Sequence, residues 1–499
     1  MSYRLCALAA AFFATSACHV PRFSEFRGEK LETDRSTISA GKKAAQKFCG
    51  SCHLVPLPES MTQETAHYML AYMGLMLGVD ASRQLDAAER GHFRNRYEYL
   101  RNSKMIPASP ALPLQEWQAL RAWYLGMARY PFESSEDAKE TGLEAVPFTD
   151  QGVTLLARLA DGTFAVGGGA SGTLFLLDTQ LKISRSFRLD SPPVHLVEKP
   201  EGLYVLTLGS LLGALGENAT STLWHIDRKR GKSHALISAL PRAAHFVMAD
   251  LNADGHEDFV VAGFGSVTGG GVIACLRSAS ICTQQVLSRQ NSVVRLALLD
   301  SGARVVKLLA LSGGAREELS LLEYDSGVVR EHRLAEFPPH LGSVWLEVSD
   351  IDGDGEKEIL VLSGDNADAG PYNEVKPDQG LRIYHLQDKQ LTLKAFESLP
   401  GALSLHVMRR GGKAAIAVAR FYADPQQKQD VTLLDWEKSF RFRRTHFSLT
   451  SRPTLLLQSA PETLLVGTGN IPLATLTGGK AQVRQFTGPV LGQLKITTK

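Results

Sequence analysis

Two cysteines three apart, with a histidine directly behind the second, stand in QKFCGSCHLVPLP at residues 46–58. The spacing Cys49-x-x-Cys52-His53 is the attachment signature of a c-type haem. Each thiol adds to a haem vinyl group, so the cofactor cannot dissociate, and the adjacent histidine ligates iron from one side. A zinc site wants a second Cys/His pair at similar spacing, and none follows; a thioredoxin-like motif wants a strand before it and a helix after it. The motif therefore predicts one covalent haem c, with Cys49 and Cys52 as attachment points and His53 as proximal iron ligand.

The far side of such an iron takes a second ligand, and methionine sulfur opposite histidine suits electron transfer. The candidates are Met61, Met69, Met73, Met76, Met105 and Met127. Met69, Met73 and Met76 recur at helical spacing in AHYMLAYMGLMLG, a stripe that suits packing. Met105 lies instead in NSKMIPASPALP, where Pro107, Pro110 and Pro113 forbid a helix. Met105 is the favoured distal ligand and Met73 the alternative; His67 and His92 are minor alternatives that read rather as solvated side chains.

A second chemistry is written in two acidic stretches, DLNADGHED at 250–258 and DIDGDGEKE at 350–358. Oxygens at alternate positions with glycine at the sharp turn wrap a hard cation such as calcium. An EF-hand would place glutamate at loop position twelve between helices; here Val261 and Val361 occupy that position inside apolar runs, and the ninth position carries the acid. Two calcium ions with a structural role are expected, each neutralising clustered carboxylates and pinning a loop.

The elements that must carry these groups differ along the chain. STISAGKKAAQKF begins with Ser/Thr caps and runs helically up to the cysteine motif. After the proline-rich stretch, Trp117, Leu120, Trp123 and Tyr124 stud an amphipathic helix that can pack on the first. From residue 145, apolar runs of strand type end in glycine or a small residue: TFAVGGG, LYVLTLGS, DFVVAGFG, VVKLLALSG, EILVLSG, AAIAVARF and TLLVGTG. They recur at about fifty residues, the period of a large propeller blade, and seven of them predict seven blades. A pair of β-sandwiches explains that recurrence less well.

The length of 499 residues is too great for one core. With 44% apolar and 21% charged residues the composition is that of an ordinary globular protein, and a net charge of +2 without a long basic run gives no nucleic-acid signal. No apolar stretch after the first 20 residues is long enough to span a bilayer. The beginning, MSYRLCALAAAFFATSAC, has one early cation, an apolar run and small residues, the pattern of an export signal. Export suits the cysteine usage: Cys275 and Cys282 bracket a hairpin-length loop and are expected to pair in an oxidising compartment.

Three resemblances follow from these residues. Thr15-Ser16-Ala17 ahead of Cys18 resembles a bacterial lipobox, which implies a lipidated Cys18 and, with His19 behind it, the outer membrane; cleavage by an ordinary signal peptidase, giving a soluble periplasmic or secreted protein, is the alternative. Residues 37–130 resemble a class I-type cytochrome c, on the helix, CxxCH, distal methionine and terminal helix. The acidic loops resemble those of FG-GAP (VCBS) repeats in integrin-type propellers. That last likeness implies metal ligands at Asp250, Asn252, Asp254, the His256 backbone and Asp258, and at Asp350, Asp352, Asp354, the Glu356 backbone and Glu358.

The expected architecture is thus multidomain: signal peptide 1–17, tether 18–36, a small all-α cytochrome c domain 37–130, linker 131–144, and an all-β propeller 145–499. The expected function is an exported mono-haem cytochrome that moves single electrons, its propeller docking a redox protein or a polysaccharide. Nucleic acid is not an expected partner, and the membrane is one only through the N-terminal lipid. The rival is a quinoprotein-like dehydrogenase that oxidises sugars or alcohols and passes electrons to haem. In that family calcium binds the quinone directly, whereas these loops read as strand-joining turns.

Overall fold

The computed structural model describes residues 23–26, 29–128, 137–209, 220–265, 270–278, 281–302, 305–314, 316–339, 341–364, 373–374, 376–422, 428–469, 474–477, 480–483 and 486–496. Seven antiparallel sheets follow one another along residues 153–495 and form a seven-bladed β-propeller. The first strands of the blades are Val153–Arg158, Pro193–Lys199, Ala243–Ala249, Val293–Ser301, Ser343–Ser349, Ser404–Arg410 and Pro453–Ala460. Each touches the first strand of the next blade, and Pro453–Ala460 returns to Val153–Arg158, which closes the ring.

Burial explains the apolar runs. The second strand of a blade is covered on both faces by neighbouring blades, so FAVGG, GLYVLT, DFVVAG and EILVLS are buried at every position. The outermost strand meets water, and ISRSFR in blade 1 buries only Phe187. The ring is stapled by chain from its own beginning. Glu144–Ala145 pairs antiparallel with Gly492 and Gln493 as the outer strand of blade 7, and Lys139–Glu140 adds a parallel strand to blade 6. Thr454 Oγ1 of blade 7 donates to Val153 O of blade 1 at 2.8 Å, across 301 residues of sequence.

The expected small all-α cytochrome c domain is not what precedes this ring. The protein is nearly all β, and no distinct all-α cytochrome domain is evident. Among the described residues four α-helices occur: α1 (Arg35–Phe48), α2 (Gln63–Met76), α3 (Ala87–Asn102) and α4 (Leu114–Met127). They share their core with a β-hairpin, Phe23–Phe26 against Glu29–Glu32, that contacts α4 and buries Leu31 in the same apolar cluster as Ala45, Leu75 and Leu120. The reading as a polar tether overlooked that Leu31 is an apolar anchor between charged neighbours.

Asp34 caps α1, accepting from Ser36 N at 2.7 Å and Thr37 N at 3.1 Å, so Ser36 and Thr37 lie inside the first turn rather than capping it. The helix then crosses α4 so closely that a Cβ on Gly41 would meet Ala119 O at 2.1 Å and Trp123 Cβ at 2.6 Å. No helix among the described residues is long and apolar enough to cross a membrane.

Candidate functional site

The cysteine motif begins where α1 stops. Cys49 is its C-cap, with its N–H on Ala45 O at 2.8 Å, and Gly50 N shares the same carbonyl at 3.0 Å. Cys49 is part-buried, Cys52 is exposed, and both thiols are free. Burial pushes the Cys49 thiol up to about 11, with the neighbouring Cys52 adding to the shift. His53 Nδ1 lies 2.7 Å from Leu54 O; a carbonyl only accepts, so Nδ1 carries a proton and Nε2 is the ring nitrogen outside that bond. Leu54 and Leu57, 42% and 56% exposed, leave apolar surface beside the motif. The loop is held from α4, whose Tyr124 hydroxyl donates to Pro56 O at 3.0 Å and whose Leu125 O accepts from Gln63 Nε2 at 2.7 Å. Two free thiols, an imidazole with an open Nε2 and uncovered leucines are the donor set and apolar contact that a covalently held haem requires.

The distal candidates separate by setting. Met61 is buried at 2% exposure, and Met69, Met76 and Met127 pack on the helical apolar cluster as filler. Met73 is part-buried on α2. Met105 packs on the cluster from the turn that ends α3, where Lys104 adopts φ 55° and Met105 N reaches Leu100 O at 2.9 Å. His67 is not solvated as expected: it is 4% exposed, with Nε2 on Gln84 O at 3.1 Å. The side chain of His92 lies outside the described residues, as does Cys18.

The two acidic loops occupy equivalent places, each joining the first and second strands of its blade, in blades 3 and 5. Gly255 and Gly355 take φ 86° and 92°, the left-handed turn that brings alternate side chains inward. In the first loop Asp250 accepts from Asp254 N at 3.1 Å and Gly255 N at 2.9 Å, and Asn252 Nδ2 donates to Asp254 Oδ2 at 2.9 Å. Asp258 is fully buried and accepts from Leu251 N at 2.9 Å and Arg277 N at 2.7 Å. In the second loop Asp350 accepts from Gly353 N at 2.7 Å and Gly355 N at 3.2 Å, Asp354 from Glu356 N at 2.8 Å, and Glu358 from Ile351 N at 2.9 Å. Carboxylate oxygens of Asp350, Asp352 and Glu358 all lie within 4.8 Å of one another. Burial, reinforced by the neighbouring aspartates, pushes the Asp258 and Glu358 carboxyls above their ordinary values. The side chains of His256 and Glu356 are exposed, like those of Asn252, Asp254, Asp352 and Asp354.

Cys275 and Cys282 are joined by a disulfide across the hairpin formed by the third and fourth strands of blade 3, with Cα atoms 5.2 Å apart.

No family model matches the chain, and no curated protein matches it. Among solved structures it is similar to the Cps50 (Swd1) β-propeller domain of Myceliophteria thermophila, at 14% identity over 68% of this chain and 98% of that one, with a TM-score of 0.41. It is also similar to virginiamycin B lyase from Staphylococcus aureus, at 9% identity over 65% of this chain and 94% of that one, with a TM-score of 0.43. Likeness at this level says nothing of ligand or reaction. The count of seven blades rests on the strand order above.

One group of residues was missed by sequence reasoning. His195, His245, Arg295 and Trp345 stand at a constant spacing on the first strands of blades 2 to 5. Their interval equals the blade period, which is the signal that could have found them, but a search for apolar recurrence passes over polar positions.

Proposed function

We propose that the protein is an exported single-electron carrier with one haem c attached through Cys49 and Cys52. His53 is the proximal ligand through Nε2, and Met105 the distal one, with Met73 as alternative. The observation that carries this reading is the free thiol pair at the end of α1, followed by a histidine whose Nδ1 is tied to Leu54 O, so that Nε2 is available. Haem, when bound, supplies a reversible one-electron iron couple. The chain's own part would be to orient the imidazole through Leu54 O, to brace the loop through Tyr124, and to offer apolar contact through the exposed Leu54 and Leu57.

The propeller, in this reading, holds a calcium ion in each acidic loop and offers a rigid docking surface for a redox protein or a polysaccharide. The ligand sets are Asp250, Asn252, Asp254, the His256 carbonyl and Asp258, and Asp350, Asp352, Asp354, the Glu356 carbonyl and Glu358. Lipid at Cys18 would anchor the chain at the outer membrane or in the periplasm.

The test is expression in a periplasm that has the haem-attachment machinery, followed by a peroxidase stain of the denatured chain and a spectrum of the native one. Covalent haem is expected in the wild type, and colourless protein would end the redox reading. Loss of the sulfur-to-iron band in Met105→Ala but not Met73→Ala would fix the distal ligand. Haem reduction on adding quinone with sugars or alcohols would replace the carrier by the dehydrogenase.

A further inference from the structure

The first strand of the propeller blade carries a repeated irregularity. In blades 1 to 5 and 7 the pairing with the second strand slips by one residue just before the third position of the strand. Such a bulge re-aims the side chain that follows it. The residues so placed are Leu155, His195, His245, Arg295, Trp345 and Leu455. First strands touch around the ring, which brings these positions on adjacent blades near one another. His195 and His245 stack with ring centroids 3.7 Å apart, and the Arg295 guanidinium carbon lies 3.3 Å from the centre of the Trp345 ring. Four consecutive blades thus contribute a polar row, flanked by Leu155 on blade 1 and, on blade 6, by His406 on a first strand that pairs without the slip.

This row is short of partners. His245 is 7% exposed and its Nδ1 has none among the described residues; the Nε of Arg295 has none either. The carboxylate that Arg295 feels most strongly, Glu347, accepts from Trp345 Nε1 at 3.3 Å and makes no ion pair with Arg295 among the described residues. A half-buried guanidinium that lacks a contact anion is costly. Stacking on indole leaves its planar fork of donors fixed in direction, the geometry that matches a carboxylate or a phosphate. Burial holds His195 down at about 3 and His245 well below its ordinary value, with Arg295 adding to both, so each imidazole is neutral at pH 7; the His195 N–H is already drawn to the Phe246 backbone, whereas His245 has an unpartnered Nδ1 beside the single fixed cation.

We infer that the row His195–His245–Arg295–Trp345 is a binding site for a small oxyanion, a carboxylate or phosphate group held between the guanidinium and the His245 imidazole, with Trp345 and His195 stacked against them. It involves neither the cysteine motif nor the acidic loops, so it stands or falls apart from the electron-carrier reading.

Calorimetric titration of the full-length wild-type protein, without added calcium, with inorganic phosphate and separately with acetate tests it. Saturable binding of either is expected; phosphate alone points to a phosphate-bearing ligand, acetate alone to a carboxylate. Arg295→Met should weaken binding on the order of a hundredfold, as expected when one partner of a buried charge contact is removed. Because that variant can fail to fold, the second readout is histidine NMR of the wild type, in which His195 and His245 should shift on saturation while exposed His256 stays fixed. Absence of saturable heat with both anions, His195 and His245 signals that do not move, or undiminished binding by folded Arg295→Met would each overturn the site.

Discussion

The N-terminal segment and the propeller hold their chemistry in opposite ways. In the first, the candidate groups are neighbours in sequence, Cys49, Cys52 and His53, and their placement depends on one crossing, α1 on α4 at Gly41. In the second, the candidate groups stand about fifty or a hundred residues apart, and a repeated strand delivers each to its place. The apolar clusters follow the same division: one holds residues 31–128, and the others hold residues from 143 onward. Chemistry that hangs on one crossing is exposed to a single substitution, whereas a ring of similar blades spreads the load. Substitutions in one region should therefore leave the other nearly untouched.

The largest expected effect is in the cysteine motif. Cys49→Ala combined with Cys52→Ala should abolish covalent haem completely while the melting of the propeller stays where it was. Acid extraction of haem and a calorimetric scan of the same sample read both halves. A shift of the propeller transition would show that the two regions are coupled.

Next come the acidic loops, where the comparison can be sharpened inside the propeller itself. Asp258 satisfies two backbone N–H groups, on Leu251 and Arg277, whereas Glu358 satisfies one, on Ile351. Leaving such donors unpaired makes Asp258→Ala cost about 2–4 kcal/mol and Glu358→Ala about 1–2 kcal/mol, measured by urea denaturation in a chelator. Calcium should then raise the propeller melting temperature. Asp352→Asn should shrink that rise and Asn252→Asp enlarge it, because the first loop already carries an amide where the second has a carboxylate. A melting temperature indifferent to calcium in all three proteins would remove metal from both loops.

These same residues show what was legible beforehand. The blades were readable because a doubly covered second strand must be apolar at every position, which marks DFVVAG and EILVLS in a single sequence. The cysteine motif stands out in the sequence because Cys49, Cys52 and His53 lie within about one turn of chain. What was not readable depends on tertiary neighbours. Leu31 looks like one apolar residue in a polar stretch until α4 covers it. His67 looks solvated because α2 is apolar nearly all round, so no stripe says which way it faces. The fold class failed for a related reason: helical spacing and a haem motif describe segments, whereas a separate all-α unit is a statement about what those segments pack against. The polar row at His195, His245, Arg295 and Trp345 is periodic, yet periodicity of unlike residues becomes visible only once bulged strands align them.

Gly41→Ala probes the single crossing directly. The added methyl would collide with Ala119 O, which is backbone and cannot turn aside, so the helices must separate. The expected cost is about 1–3 kcal/mol, confined to the N-terminal transition. Fluorescence of Trp117 and Trp123 reports on α4, and near-equal shifts in both regions would contradict the division drawn above.

The smallest effect is a pH dependence of the same helix. Hydrogen bonding, with the Ser36 hydroxyl the largest contributor and then Thr37 N, lowers the Asp34 carboxyl to about 2 from an ordinary 3.8. A depressed carboxylate stabilises the folded state above its unfolded value, and that contribution fades as pH falls from about 4 through about 2. Asp34→Asn keeps a capping oxygen but does not titrate. The wild type should therefore hold α1 more firmly than Asp34→Asn at pH 5, and the two should converge near pH 2. Amide exchange at Ile38, whose N–H sits on Asp34 O at 3.0 Å, reads that first turn without interference from the propeller. A gap that persists unchanged at pH 2 would mean that the charge of Asp34 has no part in holding the end of α1.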